Sequence, residues 1–354
     1  MELIGGIGAN PGPNNLLIGS RAADIGFGDP YTAGNEIGAT DTGFSLSAGR
    51  GGADGLFGRG GDDQLFGDAW RIDGFGHGGD DRLAGGAGMD RVFGDAAYLE
   101  GSGRGGADLI DGDKDRDALF GDALFLGQEA RGGHDRMNGD GGDDALFGDA
   151  LELRGQGHGG DDSVLGGAGS DQMFGDAYRL FDRARGGDDR LAGGRGPDTL
   201  FGDGYGLSDA ARGGNDVLTG GRGDDTLFGD GYALAAGTRA GSDLIDGGQG
   251  DDVMFGDAAE RDPRASGAGD VFRFAPGSGH DVIADFDDAA GGPQDLIDLS
   301  CWAVLSGFAD LAGHIDGNLL SLGGICGTAA GADTLLVVFA AGNGTLDADD
   351  FLFA

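Results

Sequence analysis

The tripeptide Phe-Gly-Asp begins at Phe66, Phe93, Phe120, Phe147, Phe174, Phe201, Phe228 and Phe255, always 27 residues after the previous copy. An earlier copy begins at Phe27, 39 residues ahead of Phe66, so about 12 residues are extra there. Self-similarity at a fixed period signals a repeat architecture, in which one unit cannot bury its own apolar face and neighbours must stack.

Each unit divides into three nonads. One unit reads Gly85-Gly86-Ala87-Gly88-Met89-Asp90-Arg91-Val92-Phe93, then Gly94 to Ser102, then Gly103 to Asp111. The first and third follow Gly-x-x-Gly-x-Asp-x-U-x, with U apolar, while the middle one keeps Gly-Asp and an apolar sixth residue but loses the fourth glycine. Three apolar series result: Leu65 to Met254, Leu56 to Ile245, and Ile72 to Leu234, the last degenerating at Arg261. A glycine-rich turn followed by a short strand buries one apolar side chain only if copies stack as parallel strands, roughly 4.8 Å apart. Such turns account for 83 glycines among 354 residues, because glycine serves where φ is positive or backbones approach closely. A collagen period is absent.

Aspartate fills the sixth place of the turn. One series is Asp63, Asp90, Asp117, Asp144, Asp171, Asp198, Asp225 and Asp252; the other is Asp54, Asp81, Asp108, Asp135, Asp162, Asp189, Asp216, Asp243 and Asp270. Stacking lines these up in columns, where unit charges ~5 Å apart repel by roughly 3 kcal/mol at an effective dielectric near 20. The net charge of -39 therefore calls for cations held between the rungs. Calcium fits, since it takes six to eight oxygens and mixes carboxylates with backbone carbonyls such as those of glycine turns. Gly85, Gly88, Gly166, Gly169, Gly220 and Gly223 are the candidate turn glycines of these sites. Transition metals want His or Cys, and the chain has five His and two Cys. The Phe-Gly-Asp aspartates, Asp68 to Asp257, either complete cation sites or cap turns.

The same acidity offers no basic face to nucleic acid or to an anionic membrane. The start, Met1 to Gly6, predicts no Sec-type signal peptide, and the apolar run Leu335 to Ala341 is too short to span a bilayer. Cys301 and Cys326 either pair or remain thiols. No Ser-His-Asp grouping or His-Glu-x-x-His motif is present, and His77 and His158 occupy equivalent repeat positions. The expectation is a protein that is not an enzyme. Trp70 and Phe125, in the variable middle nonads, are expected to be partly buried packing residues.

The nonad Gly85 to Phe93 resembles the RTX, or hemolysin-type, calcium-binding repeat, and the resemblance extends over residues 49 to 300. It implies an all-β, calcium-bound parallel β-roll or β-helix in which aspartates and turn carbonyls of stacked turns share ions. It also implies export by a type I secretion system. The segments Asp270 to Phe274, Gly277 to Phe286 and Asp295 to Ser300 are similar to the capping region of secreted serralysin-type proteases, and the Asp349-to-Ala354 end to their secretion signals. The expected organisation is degenerate repeats over residues 1–48, a repeat solenoid over 49–264 and a cap with secretion signal over 265–354. The ordinary RTX coil has two nonads, whereas identity here returns after three. Either an 18-residue coil alternates faces or one coil is 27 residues long; the register favours the second, with Tyr178, Tyr205 and Tyr232 as a ladder.

The functional expectation is a secreted protein folded by Ca2+, with a structural, matrix or adhesive role outside the cell. Its partners would be calcium ions, the secretion machinery in passing, and other copies or a cell surface. The alternative is an accessory module of a type I-secreted protease, lipase or epimerase whose catalysis is supplied elsewhere.

Overall fold

Strands of three to six residues, each bounded by glycine turns, have no stability alone, and their pairing shows where they find it. In the computed structural model, which describes residues 2–5, 16–18, 24–27, 45–288, 294–311, 313–323, 333–340 and 344–354, every repeat strand pairs in parallel with its equivalent one unit away. Leu119 lies opposite Leu146, Leu126 opposite Leu153, and Ile110 opposite Met137. One coil is thus 27 residues, as the register favoured, and the 18-residue winding is excluded. The three nonads build three sheets, with fourteen, twelve and nine strands among the described residues.

The first sheet carries strands such as Ala145–Phe147, the second Ala150–Leu153, and the third Ser163–Ala168. Leu146 and its equivalents in the first sheet face Val164 and its equivalents in the third, and the two apolar series form one continuous core. Leu153 and Ala150, with their equivalents, fill a second core beneath the second sheet.

A third apolar column was not anticipated. Alternation along the strand turns Phe147 to the face opposite Leu146. There the phenylalanines of Phe-Gly-Asp stack ring on ring from Phe66 to Phe255, with centroids 4.7 to 5.0 Å apart. That spacing equals the strand separation, so the ladder costs the backbone no distortion. Trp70, Tyr178, Tyr205 and Tyr232 pack against it, and the tyrosines form the expected ladder. Trp70 and Phe125 are half-buried, as expected, with Phe125 stacked on Tyr98.

Stacking reaches beyond the regular repeats. Phe27 pairs with Phe66, so the extra residues of the first copy lie outside the paired register, and Leu17 pairs with Leu56. Beyond residue 264 the first core continues through Phe272, Ile283, Ile297 and Trp302. Among the described residues, antiparallel pairing occurs only near the end, where Leu319–Ser321 pairs with Thr334–Phe339 and with Ile315–Asp316. No helix of the described residues is long and apolar enough to cross a membrane. Cys301 is a free, exposed thiol, and Cys326 lies outside the described residues.

Because Phe147 is stacked between Phe120 and Phe174, Phe147→Ala should destabilise the calcium-saturated protein by about 3–5 kcal/mol. Denaturant unfolding at saturating calcium measures this, and a loss under 1 kcal/mol would show that the ladder is not a packed core.

Candidate calcium sites

The residue that ends each turn does two jobs. Asp162 Oδ1 accepts the main-chain N–H of Asp135, one coil earlier, at 2.7 Å, and Asp144 Oδ1 accepts that of Asp117 at 2.8 Å. This bond repeats along both predicted aspartate columns. The second oxygen is left over. From Asp81 and Asp90 onward, through Asp270 and Asp252, Oδ2 of every aspartate in the two columns is buried and receives no hydrogen bond. An oxygen buried without a donor costs about 1–3 kcal/mol, and more when charged. The predicted aspartates are no more than 4% exposed, so water does not relieve them.

Glycine shapes the space into which these oxygens point. A Cβ on Gly139 would meet the Gly166 carbonyl oxygen at 2.5 Å and Asp144 Oδ2 at 2.6 Å; one on Gly193 would meet Asp198 Oδ2 at 2.5 Å and the Gly220 carbonyl oxygen at 2.6 Å. Gly85 carries the equivalent carbonyl beside Asp63. The predicted Gly88, Gly169 and Gly223 have φ of 132°, 153° and 131° and lie against the carbonyls of Gly61, Gly142 and Gly196. They permit the close approach of coils.

The two columns differ in depth. The column from Asp63 to Asp252 runs just beneath a surface groove lined by Asp63, Asp90, Asp117 and Asp144. Burial, opposed by the hydrogen bond from the preceding coil, leaves Asp144 raised to about 6 and Asp198 to about 7. Asp117 rises to about 8, with Asp90 and Asp144 adding repulsion. The column from Asp54 to Asp270 lies deeper. Asp162 and Asp189 are pushed well above the ordinary carboxylate range by burial, with repulsion from neighbouring aspartates adding to it. Asp81 is raised to about 10 by burial and then by Asp68 and Asp108.

The Phe-Gly-Asp aspartates converge on this deeper column. Asp149 lies at the corner between the first and second sheets, and one of its oxygens accepts the Gly160 N–H at 2.9 Å. Its nearest source of repulsion is Asp162, followed by Asp122 and Asp176. The sequence left these residues open between capping and cation binding; the cap is present.

Two further members escaped the sequence reading. Asp252 N–H donates to Asp281 Oδ1 at 3.1 Å across 29 residues, and Asp270 N–H to Asp295 Oδ1 at 2.9 Å across 25. They extend both columns, but the 27-residue step that would reveal them fails there.

The surface carries one basic column that net charge concealed. His77, Arg104, Arg131, His158, Arg185, Arg212 and Arg239 pair main chain to main chain, one per coil. Burial, then Arg131 and Arg185, lower the His158 pKa. This column contains the equivalent histidines noted in the sequence.

The donor set suits a hard cation. Carboxylate oxygens without donors and main-chain carbonyls border the same glycine-walled spaces, and calcium accepts that mixture. Among the described residues no three His, Cys, Asp or Glu side chains form a ready metal cage, so main-chain oxygens are needed to complete a site.

Proton and cation should compete for these oxygens. In the absence of calcium the folded state binds protons more tightly than the unfolded one, because its aspartates are raised to about 6, 7 and 8 at Asp144, Asp198 and Asp117. Stability from this source is full below the ordinary aspartate value near 4 and is lost as pH rises through these values. Calcium-free protein should therefore gain β structure between pH 8 and pH 5. Circular dichroism that stays flat or declines on acidification would contradict the assignment.

Comparison with known proteins agrees with the geometry. The family pattern described as the RTX calcium-binding nonapeptide repeat (4 copies) matches residues 47–69, 75–97, 102–123, 129–150, 154–177, 184–204, 210–231 and 238–259, half of the chain. No curated protein and no solved structure matches. With repeat, fold and donor set in accord, the chain belongs to the RTX calcium-binding nonapeptide repeat family, and its ion is calcium.

Proposed function

We propose that this is a secreted protein folded by calcium, serving a structural, matrix or adhesive role without catalysis of its own. In this reading the predicted aspartates, Asp54 to Asp270, hold the ions with carbonyls such as those of Gly85, Gly166 and Gly220. The observation that carries it is the set of buried aspartate oxygens without donors. Ions that bind the folded state alone stabilise it by mass action, so binding free energy becomes folding free energy.

A cell provides the matching gradient. In low cytosolic calcium the acidic columns keep the chain extended and fit for export; outside, calcium closes the coils. Passage through a type I machine, read from the C-terminal segment, fits this order of events. The division into residues 1–48, 49–264 and 265–354 belongs to the same proposal, with the last region as cap and secretion signal. The ladders of the second sheet's outer face, including Arg71, Tyr98, Phe125 and Glu152, offer a flat surface for contact.

Calcium titration of chelator-treated protein at pH 7.5, followed by circular dichroism, tests the reading. A cooperative rise in β content is expected at roughly 10⁻⁴–10⁻³ M calcium, the range of extracellular modules. Full β content in chelator would refute calcium-driven folding.

A further inference from the structure

We propose that the Phe-Gly-Asp aspartates are themselves calcium ligands, and that with the Asp81-to-Asp270 column they form an enclosed row of two-carboxylate sites, one per coil. This rests on the calcium reading above and divides the sites into two kinds.

The capping role uses one oxygen and leaves the other unexplained. Asp149, Asp176, Asp203 and Asp230 each accept a glycine N–H, from Gly160, Gly187, Gly214 and Gly241. Each then has a buried Oδ2 that receives no hydrogen bond. In the same corner Asp162, Asp189, Asp216 and Asp243 have their own Oδ2 without a donor. A Cβ on Gly148 would collide with Asp162 Oδ2 and the Gly175 carbonyl oxygen, and one on Gly159 with the carboxylate oxygens of Asp149 and Asp176. Glycine at both places keeps the space open to oxygen from both columns.

The end of the stack supplies the missing charge covalently. Asp257 is the last Phe-Gly-Asp aspartate, and its Oδ2 is paired with the Arg261 guanidinium. Gly267 is the counterpart of Gly159, and a Cβ there would collide with Arg261 Nη1 and Asp257 Oδ2. In earlier coils the Arg261 position is leucine, as at Leu234, Leu207 and Leu180, buried in the second core. A cationic group thus stands in the last corner where the interior corners hold only oxygens, which identifies the place as one for positive charge.

Two carboxylates balance one Ca2+, so such a row fills without leaving net charge between coils. Ligand charge count and site rigidity raise calcium affinity. The Asp63-to-Asp252 column gives one such aspartate per coil and borders a surface groove. The deeper row is closed by the second sheet, whose nonad lies in the chain between Asp149 and Asp162. The two rows should therefore differ in exchange rate as well as affinity.

The test uses full-length, calcium-loaded protein mixed with a fluorescent chelator, together with a count of bound calcium. Wild type should release its ions in a fast and a slow phase. The triple variant Asp149→Asn, Asp176→Asn, Asp203→Asn keeps an acceptor for each glycine N–H but removes charge from three of the eight Phe-Gly-Asp positions. It should bind fewer ions, with the loss confined to the slow phase, whereas Asp144→Asn with Asp171→Asn should diminish the fast phase. An unchanged ion count and slow phase in the triple variant would overturn the proposal while leaving calcium-driven folding intact. Wild type that binds no calcium would remove the underlying reading as well. Should the triple variant not fold, Arg261→Leu decides: one additional slowly released ion supports the guanidinium as the stand-in, and no gain refutes it.

Discussion

Each repeat aspartate accepts a main-chain N–H from the preceding coil with one oxygen and holds the other in a glycine-walled space without a donor. The first oxygen ties neighbouring coils together. The second makes the tie conditional, because stacking gathers carboxylates that burial and mutual repulsion drive toward the neutral form. Everything apolar in the solenoid depends on this arrangement. The leucine columns and the phenylalanine ladder gain nothing until coils stack, and coils stack only when the aspartate oxygens find positive charge. Attractive packing and electrostatic cost therefore act at the same interface, from coil to coil, which is the nearest-neighbour energetics of repeat proteins.

The structure also explains why three nonads make a coil in a family whose ordinary coil has two. The first and third sheets face one another across a leucine core, as the two sheets of a roll would. The middle nonad is a detour from one turn. It leaves at Asp149, adds the strand Ala150–Leu153 with its small core, and returns at Gly160. The detour brings the extra aspartate and roofs the corner with protein, while the opposite turn, which holds Asp171, keeps the simple nonapeptide form and stays near the surface.

Much of this was legible in the sequence because the period is strict. The three inward apolar series, the two aspartate columns, parallel stacking and the tyrosine ladder all follow from equal spacing and strand alternation. What was not legible depended on which way a side chain turns at a corner. Phe147 follows Leu146, and only the second sheet packed across that outward face makes it a core residue. Asp149 could be read as a cap until the fold brought it beside Asp162, thirteen residues along the chain. Asp281 and Asp295 belong to the columns although the spacing changes to 29 and 25 residues. The basic column from His77 to Arg239 was hidden by a net charge of -39, which averages over faces that point in different directions.

The pairing of Phe27 with Phe66 across 39 residues has an evolutionary consequence. The chain can gain length where the addition escapes the coil path altogether, since the strands on either side still meet their equivalents. A gain of one residue inside the path is different in kind. It would turn every following leucine outward and press aspartate into the apolar columns. Length variation in such a chain should come as whole units or as excursions, and the unbroken run of eight equal steps from Phe66 is what that selection leaves behind.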